Sequence, residues 1–256
     1  MVTALIFSGY GINCEQETKR AFELAGANAD IVHLNDLIAE PSRLKNYQIA
    51  AFPGGFSFGD DTGSGKAYAN MIKNHLLKEI KAFVARDTLT IGICNGFQVL
   101  TSLDLLKGTL THNTSAQFID RWVDLKVSSD SPWLKGIEFM SLPVAHGEGR
   151  YIRHCDERSE VATPSDLKVA LQYTAAEITE YFDYPANPNG SDDDIAAVLS
   201  DDGRILGMMP HPERAIEFHH LPHWTFLKEK ASRASMALPE NGPGLRLFEN
   251  AVEYFN

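Results

Sequence analysis

The chain has 256 residues, 44% of them hydrophobic, and a formal net charge of -11 at pH 7. That is enough for one large α/β domain with a substantial core, while the acidity disfavours nucleic acid and anionic membranes, whose binding rests on basic contacts. The three cysteines, Cys14, Cys94 and Cys155, have no regular spacing, so they are not a disulfide framework and fit a reducing, cytoplasmic compartment.

The N-terminus enters a strand directly, without a basic n-region or cleavage site, and no signal peptide is expected. No apolar run approaches the roughly 20 residues that span a bilayer. Thr3 to Phe7 reads as a strand ending at Ser8-Gly9-Tyr10-Gly11, and Glu15 to Ala25 as a helix. Ala29 to Leu34 is a second strand, and Ile49 to Phe52 a third, broken by Pro53-Gly54-Gly55. Lys66 to Ala85 predicts one long amphipathic helix, with Ala69, Ile72, Leu76, Ile80 and Phe83 three or four apart. Leu89 to Ile93 is a strand that turns at once into a helix over Gly96 to Leu106. This alternation predicts a parallel sheet covered on both faces, with sites beyond the carboxyl ends of its strands. The loop at residues 9–11, Gly54-Gly55 and Cys94 should therefore meet in space.

The second half changes character. Phe118 to Val127 and Ile137 to Ala145 are strand candidates, and Ile195 to Leu199 with Ile205 to Met209 reads as a hairpin around Asp202-Gly203. These strands are expected to extend the sheet in antiparallel fashion. Tyr184 to Asp194, with two prolines and three consecutive aspartates, reads as a solvated surface loop, and Leu245 to Phe255 as a closing helix. No repeat or linker divides the chain, so residues 1–256 are read as a single domain.

Cys94 stands at the sharp strand-to-helix corner Gly92-Ile93-Cys94-Asn95-Gly96. A corner residue is exposed by its turn, and the unpaired N–H groups at the head of the helix favour an anion there. A thiol nucleophile needs a base. His211 follows a predicted strand in Met209-Pro210-His211-Pro212-Glu213-Arg214, where flanking prolines restrict the backbone and Glu213 is near enough to orient the ring. Acyl transfer also needs two N–H donors for the oxyanion. Asn95 N–H is one candidate and the Gly54-Gly55 loop another. A loose glycine pair would let that amide point away until a partner fixed it.

Together these segments resemble the class I (triad) glutamine amidotransferases, whose pattern is a Gly-x-Cys-x-Gly-x-Gln elbow, an upstream Gly-Gly loop and a late His-Pro-Glu. Cys-Asn-Gly-Phe-Gln at the elbow is similar to the glutaminase subunits of phosphoribosylformylglycinamidine synthase. So are Gly11-Ile12-Asn13-Cys14, Gly54-Gly55-Phe56-Ser57-Phe58-Gly59-Asp60, His146-Gly147-Glu148-Gly149 and His211-Pro212-Glu213-Arg214. The resemblance implies a flavodoxin-like, doubly wound, mostly parallel sheet with added antiparallel strands. It implies Cys94 as nucleophile, His211 as base, Glu213 as orienter, Gly54, Gly55 and Asn95 around the oxyanion, and Gln98 in the glutamine pocket. The implied substrate is L-glutamine. The implied partners are a large synthase subunit, which would carry ATP and Mg, and a small accessory subunit.

Three other readings stand beside this one. They are a glutaminase serving a different synthase, a cysteine hydrolase or chaperone of the related elbow superfamily, and a non-catalytic binding module. The late His-Pro-Glu argues against the second and the intact triad against the third. Among the remaining residues, Cys14 reads as a structural thiol near the site and Cys155 as an exposed bystander. His146 could line an ammonia route or only pack a loop. His219, His220 and His223 lack a completing Cys or carboxylate, so no metal is expected. Gly63-Ser64-Gly65-Lys66 lacks the full phosphate-loop pattern.

Overall fold

Short apolar runs become the first strands and the polar-faced segments between them become helices. They are β1 (Thr3–Ser8), α1 (Glu15–Leu24), β2 (Asn28–His33), α2 (Leu34–Ala39), β3 (Ile49–Phe52), α3 (Lys66–His75), α4 (Leu77–Val84), β4 (Leu89–Ile93) and α5 (Asn95–Ser102). The second half adds β5 (Thr109–Thr111), β6 (Ile119–Val127), β7 (Phe139–His146), β8 (Arg150–Ile152), β9 (Lys168–Thr174) and α6 (Glu177–Tyr181). It closes with β10 (Ile195–Leu199), β11 (Ile205–Met208), α7 (Trp224–Arg233) and α8 (Leu245–Glu253). The computed structural model describes residues 1–60, 63–153 and 167–256. Asp61 and Thr62, and the His154–Cys155 pair, lie outside them.

Nine strands form one sheet in the order β2-β1-β3-β4-β11-β10-β9-β6-β7. The five from β2 to β11 pair in parallel, in the spatial order of a flavodoxin-like sheet. The remaining pairs are antiparallel. β3 and β4 are buried at every position, as strands covered on both faces must be. Against them, α1 packs on α8 through an edge-to-face pair of Phe22 and Phe248, with centroids 4.9 Å apart. No helix among the described residues is long and apolar enough to cross a membrane.

Three expectations need correction. The helix over Lys66 to Ala85 is two, because Leu76 leaves helical geometry at φ -133°. Leu76 N–H closes α3 on Ile72 and its carbonyl opens α4 by accepting from Ile80 N–H, so one residue caps both helices. β9 was missed, although it joins β10 to β6 and completes the sheet. Finally, the Tyr184 to Asp194 segment is not simply a solvated loop. Asn189 and Ser191 are buried. Asn189 Nδ2 donates to Gly149 O at 2.8 Å, and Ser191 Oγ accepts from Tyr151 N at 2.9 Å. The acidic run is also engaged: Asp192 Oδ2 accepts from Arg153 N, Asp193 pairs with the Arg153 guanidinium, and Asp194 Oδ1 accepts from Asn187. Composition alone reads such a stretch as loop; its polar side chains instead satisfy the backbone of its neighbour.

Candidate active site

The carboxyl ends of β1, β3, β4 and β11 converge as the alternation predicts. An isolated bridge joins Ile12, after β1, to Gly55, after β3. Cys94, after β4, and His211, after β11, both line a cavity of about 200 Å³ with Asn13, Gly55, Phe56, Phe118, Asp120, Ala145 and Arg214. That is smaller than the roughly 300–1,000 Å³ of drug-sized sites and suits a single small substrate.

Cys94 is held in a strained corner. Its φ is 51° and ψ -106°, in the positive-φ region that a non-glycine residue occupies only when its surroundings force it. Two contacts force it: Cys94 N–H donates to Met208 O at 2.8 Å, and α5 begins at the next residue. The helix approaches β3 so closely that a Cβ on Gly96 would stand 1.8 Å from Phe52 O. The sulfur points to the carbonyl of Ala145 on β7, 3.6 Å away.

His211 is 1% exposed and Glu213 equally so. The ring Nδ1 lies 2.6 Å from Glu213 Oε1, and Nε2 has no hydrogen-bond partner among the described residues. Burial opposes a charged ring, but the carboxylate of Glu213 and the nearby sulfur of Cys94 outweigh it and hold His211 well above the usual imidazole range. The prolines act as expected: Pro212 opens a short 3-10 turn that brings Glu213 back under the ring. This geometry is what a nucleophile, base and orienter would need, with Nε2 left open on the ring.

The glycine pair is less loose than its composition suggests. Gly54 O accepts from both Asn13 N–H and Cys14 N–H at 3.2 Å, and Phe56 N–H donates to Gly11 O at 2.9 Å. A trans peptide sends its C=O and N–H opposite ways, so this pinning also fixes the Gly55 N–H. Gly55 takes φ 155°, and a Cβ there would stand 2.6 Å from Ile12 Cα. Asn95 supplies an N–H at the head of α5, where helical partners are absent by construction.

Gln98 departs from its expected place. It does not line the cavity: its Oε1 accepts from Asn95 Nδ2 at 3.0 Å and its Nε2 donates to Glu148 O at 2.7 Å. With both ends engaged, it ties the elbow helix to the Gly147–Gly149 loop. His146 also faces away from solvent. Its Nδ1 lies 3.0 Å from Asn113 Oδ1, which also accepts from Gly149 N–H. Burial, with the charge of His211, pushes His146 down to about 4.

Two features of the site leave no local mark in the sequence. Cys14 Sγ accepts from Arg214 Nη2 at 2.9 Å, joining the helix α1 corner to the turn that carries His211. Asn113 organises His146 from 33 residues away. Both contacts cross the sheet edge between residues far apart in the chain. Glu217, His219 and His220 bring ligand atoms within 4.8 Å of one another, yet Glu217 is already paired with Arg20 at 3.0 Å.

Known proteins similar to this chain identify its family. The CobB/CobQ-like glutamine amidotransferase domain matches residues 1–255. Phosphoribosylformylglycinamidine synthase subunit PurQ of Methanococcus maripaludis (strain C5) is 45% identical, over 98% of this chain and 98% of that protein. The protein of the same name from Dehalococcoides mccartyi is 40% identical, over 99% and 97%. A chain in the solved structure of PurLQS from Thermotoga maritima superposes with a TM-score of 0.76 at 31% identity, covering 100% of this chain and 99% of that one. A glutamine amidotransferase from Methylobacillus flagellatus, at 16% identity and TM-score 0.54 over 99% of this chain and 93% of that one, shares the fold. The chain belongs to the CobB/CobQ-like glutamine amidotransferase family, among the phosphoribosylformylglycinamidine synthase PurQ subunits.

Proposed function

We propose that this chain is the glutaminase subunit of phosphoribosylformylglycinamidine synthase. It hydrolyses L-glutamine to glutamate and ammonia and delivers the ammonia to an ATP-dependent synthase subunit in de novo purine biosynthesis. The observation that carries the reading is the strained Cys94 sharing a small cavity with His211, whose ring is paired to the buried Glu213, in a chain aligned with PurQ proteins over nearly its whole length.

In this reading His211 Nε2 takes the Cys94 proton, and the sulfur attacks the side-chain amide carbon. The Gly55 and Asn95 N–H groups receive the oxyanion. Collapse breaks the C–N bond while His211 returns the proton to the departing ammonia. His211 then draws a proton from water, which attacks the thioester, and glutamate leaves as the sulfur regains its proton. Glu213 stabilises the imidazolium formed in each half. Gln98, bonded to Asn95 and to Glu148 O, positions the elbow helix. For His146, its bond to Asn113 supports a loop-holding role; the ammonia route rests only on its place next to Ala145.

ATP and Mg belong to the large synthase subunit, and a small accessory subunit completes the partners. Residues 1–256 act as one glutamine amidotransferase domain in the cytoplasm. The test is to quench the complex in acid during turnover of radiolabelled glutamine. The expected result is a glutamyl adduct on the peptide that contains Cys94. Turnover with an adduct elsewhere, or with none trapped under any quench time, overturns the assignment.

A further inference from the structure

The reaction described above uses the amide end of glutamine and leaves its α-carbon without a recognition site. That carbon is three bonds from the amide carbon and carries a carboxylate and an ammonium. Besides His211, the charged residues lining the cavity are Arg214 and Asp120. They bear opposite signs, as a zwitterion requires.

Both are placed by the fold. Arg214 extends the turn that carries His211 and Glu213, and it is anchored from behind. Its Nη2 donates to the fully buried sulfur of Cys14 at 2.9 Å, and its Nε lies 3.9 Å from Glu213 Oε1. A guanidinium has five N–H donors in a planar fork. Among the described residues only Cys14 takes one of them, and the side chain keeps 37% of its exposure. Anchoring at one edge leaves the rest of the fork free for a carboxylate and lowers the entropy lost on binding. Asp120, near the start of β6, is directly opposite Ala145 in register, and the Ala145 carbonyl is the group that touches Cys94 Sγ. Directly opposite residues keep their Cβ atoms about 5 Å apart. Asp120 is exposed, and its carboxylate has neither a hydrogen bond nor an ion pair among the described residues.

We propose that Arg214, braced by Cys14, reads the α-carboxylate of glutamine and that Asp120 reads its α-ammonium. The two residues thus select an amino-acid amide over a simple amide. The inference rests on the glutaminase reading.

The test measures ammonia release by this chain in complex with its synthase from three amides. These are glutamine, glutaramate, which lacks the α-ammonium, and 4-aminobutanamide, which lacks the α-carboxylate. Arg214→Met is expected to raise KM for glutamine and glutaramate at least about tenfold, the order lost with a charged hydrogen bond, and to leave that for 4-aminobutanamide within about twofold. Asp120→Asn is expected to raise KM for glutamine and 4-aminobutanamide and to spare glutaramate. Arg214→Lys, which keeps the charge, covers the case in which Arg214→Met does not fold; it should retain part of the preference for carboxylate-bearing amides. An equal fall in kcat for all three amides at unchanged KM would make Arg214 only a support for Glu213 and overturn the inference. So would variants that treat the amides as the wild type does. Absence of glutamine hydrolysis by the wild-type complex would instead defeat the glutaminase reading itself.

Discussion

Cys94 and Cys14 occupy corresponding corners of the parallel sheet. Each caps a helix that follows a parallel strand, and each is buried. They differ in strain and in company. Cys94 has φ 51° and lines the cavity beside His211, with its sulfur 3.6 Å from the Ala145 carbonyl. Cys14 has φ -105°, does not line that cavity, and is held between the Asn13 carboxamide and the Arg214 guanidinium. Position at a helix head is common to both. What separates them is a backbone bent to present the sulfur and an open space for a substrate.

That contrast can be broken most directly at Cys94. Cys94→Ala should abolish glutamine-dependent synthesis while synthesis from added ammonia survives, because the synthase site is elsewhere; surviving glutamine hydrolysis would end the distinction. A glutamine-analogue electrophile should correspondingly label Cys94 and leave Cys14 unmodified, which peptide mass mapping reads. Next in size is Glu213→Gln, which keeps the hydrogen-bond frame but removes the charge facing His211; kcat should fall by up to about 10⁴. An unchanged kcat would remove Glu213 from the site.

The two buried histidines sharpen the contrast through pH. His211 is held above its unfolded value, so its contribution to stability is full below that value and fades as pH rises through the folded one. His146 runs the other way. Its folded value of about 4 lies below the ordinary 6.5, so stability present at neutral pH is lost as pH falls between the two. The shift corresponds to about 3 kcal/mol at its acid limit. Urea unfolding at pH 7 and pH 4 should show a smaller acid loss in His146→Gln than in the wild type; identical losses would contradict the burial argument. The smallest effect is at Cys14. Cys14→Ala should cost about tenfold or less in kcat/KM for glutamine by freeing Arg214, and Cys14→Ser, whose oxygen can still accept, should recover most of it. A Cys14→Ala loss as large as that of Cys94→Ala would erase the difference between the corners.

Much of this was legible in sequence because it is local. β3, β4 and β10 follow from short apolar runs, and the elbow from glycines two residues either side of Cys94. The His211–Glu213 pair follows from a two-residue spacing across Pro212. What escaped was non-local or polar. β9 carries a mixed pattern, Lys-Val-Ala-Leu-Gln-Tyr-Thr, in which buried and half-buried residues do not alternate regularly, and no period announces it. Gln98 matched a family position, yet its amide is taken up by Asn95 and Glu148, a partner 50 residues on. Asn187 and Asn189 carry the composition of a loop and make the contacts of a buried brace, because side-chain amides can stand in for strand partners.

The contact at Gly96 works as a caliper. Phe52, whose carbonyl a Cβ there would strike at 1.8 Å, ends β3 and stands three positions before Gly55, while Asn95 stands one position before Gly96. The two N–H groups assigned to the oxyanion therefore ride on opposite jaws, and the width between them is set by an atom that is missing. Any side chain at Gly96 would open the jaws from a point remote from the substrate, and the span from one donor to the other would widen before any reacting group had been altered.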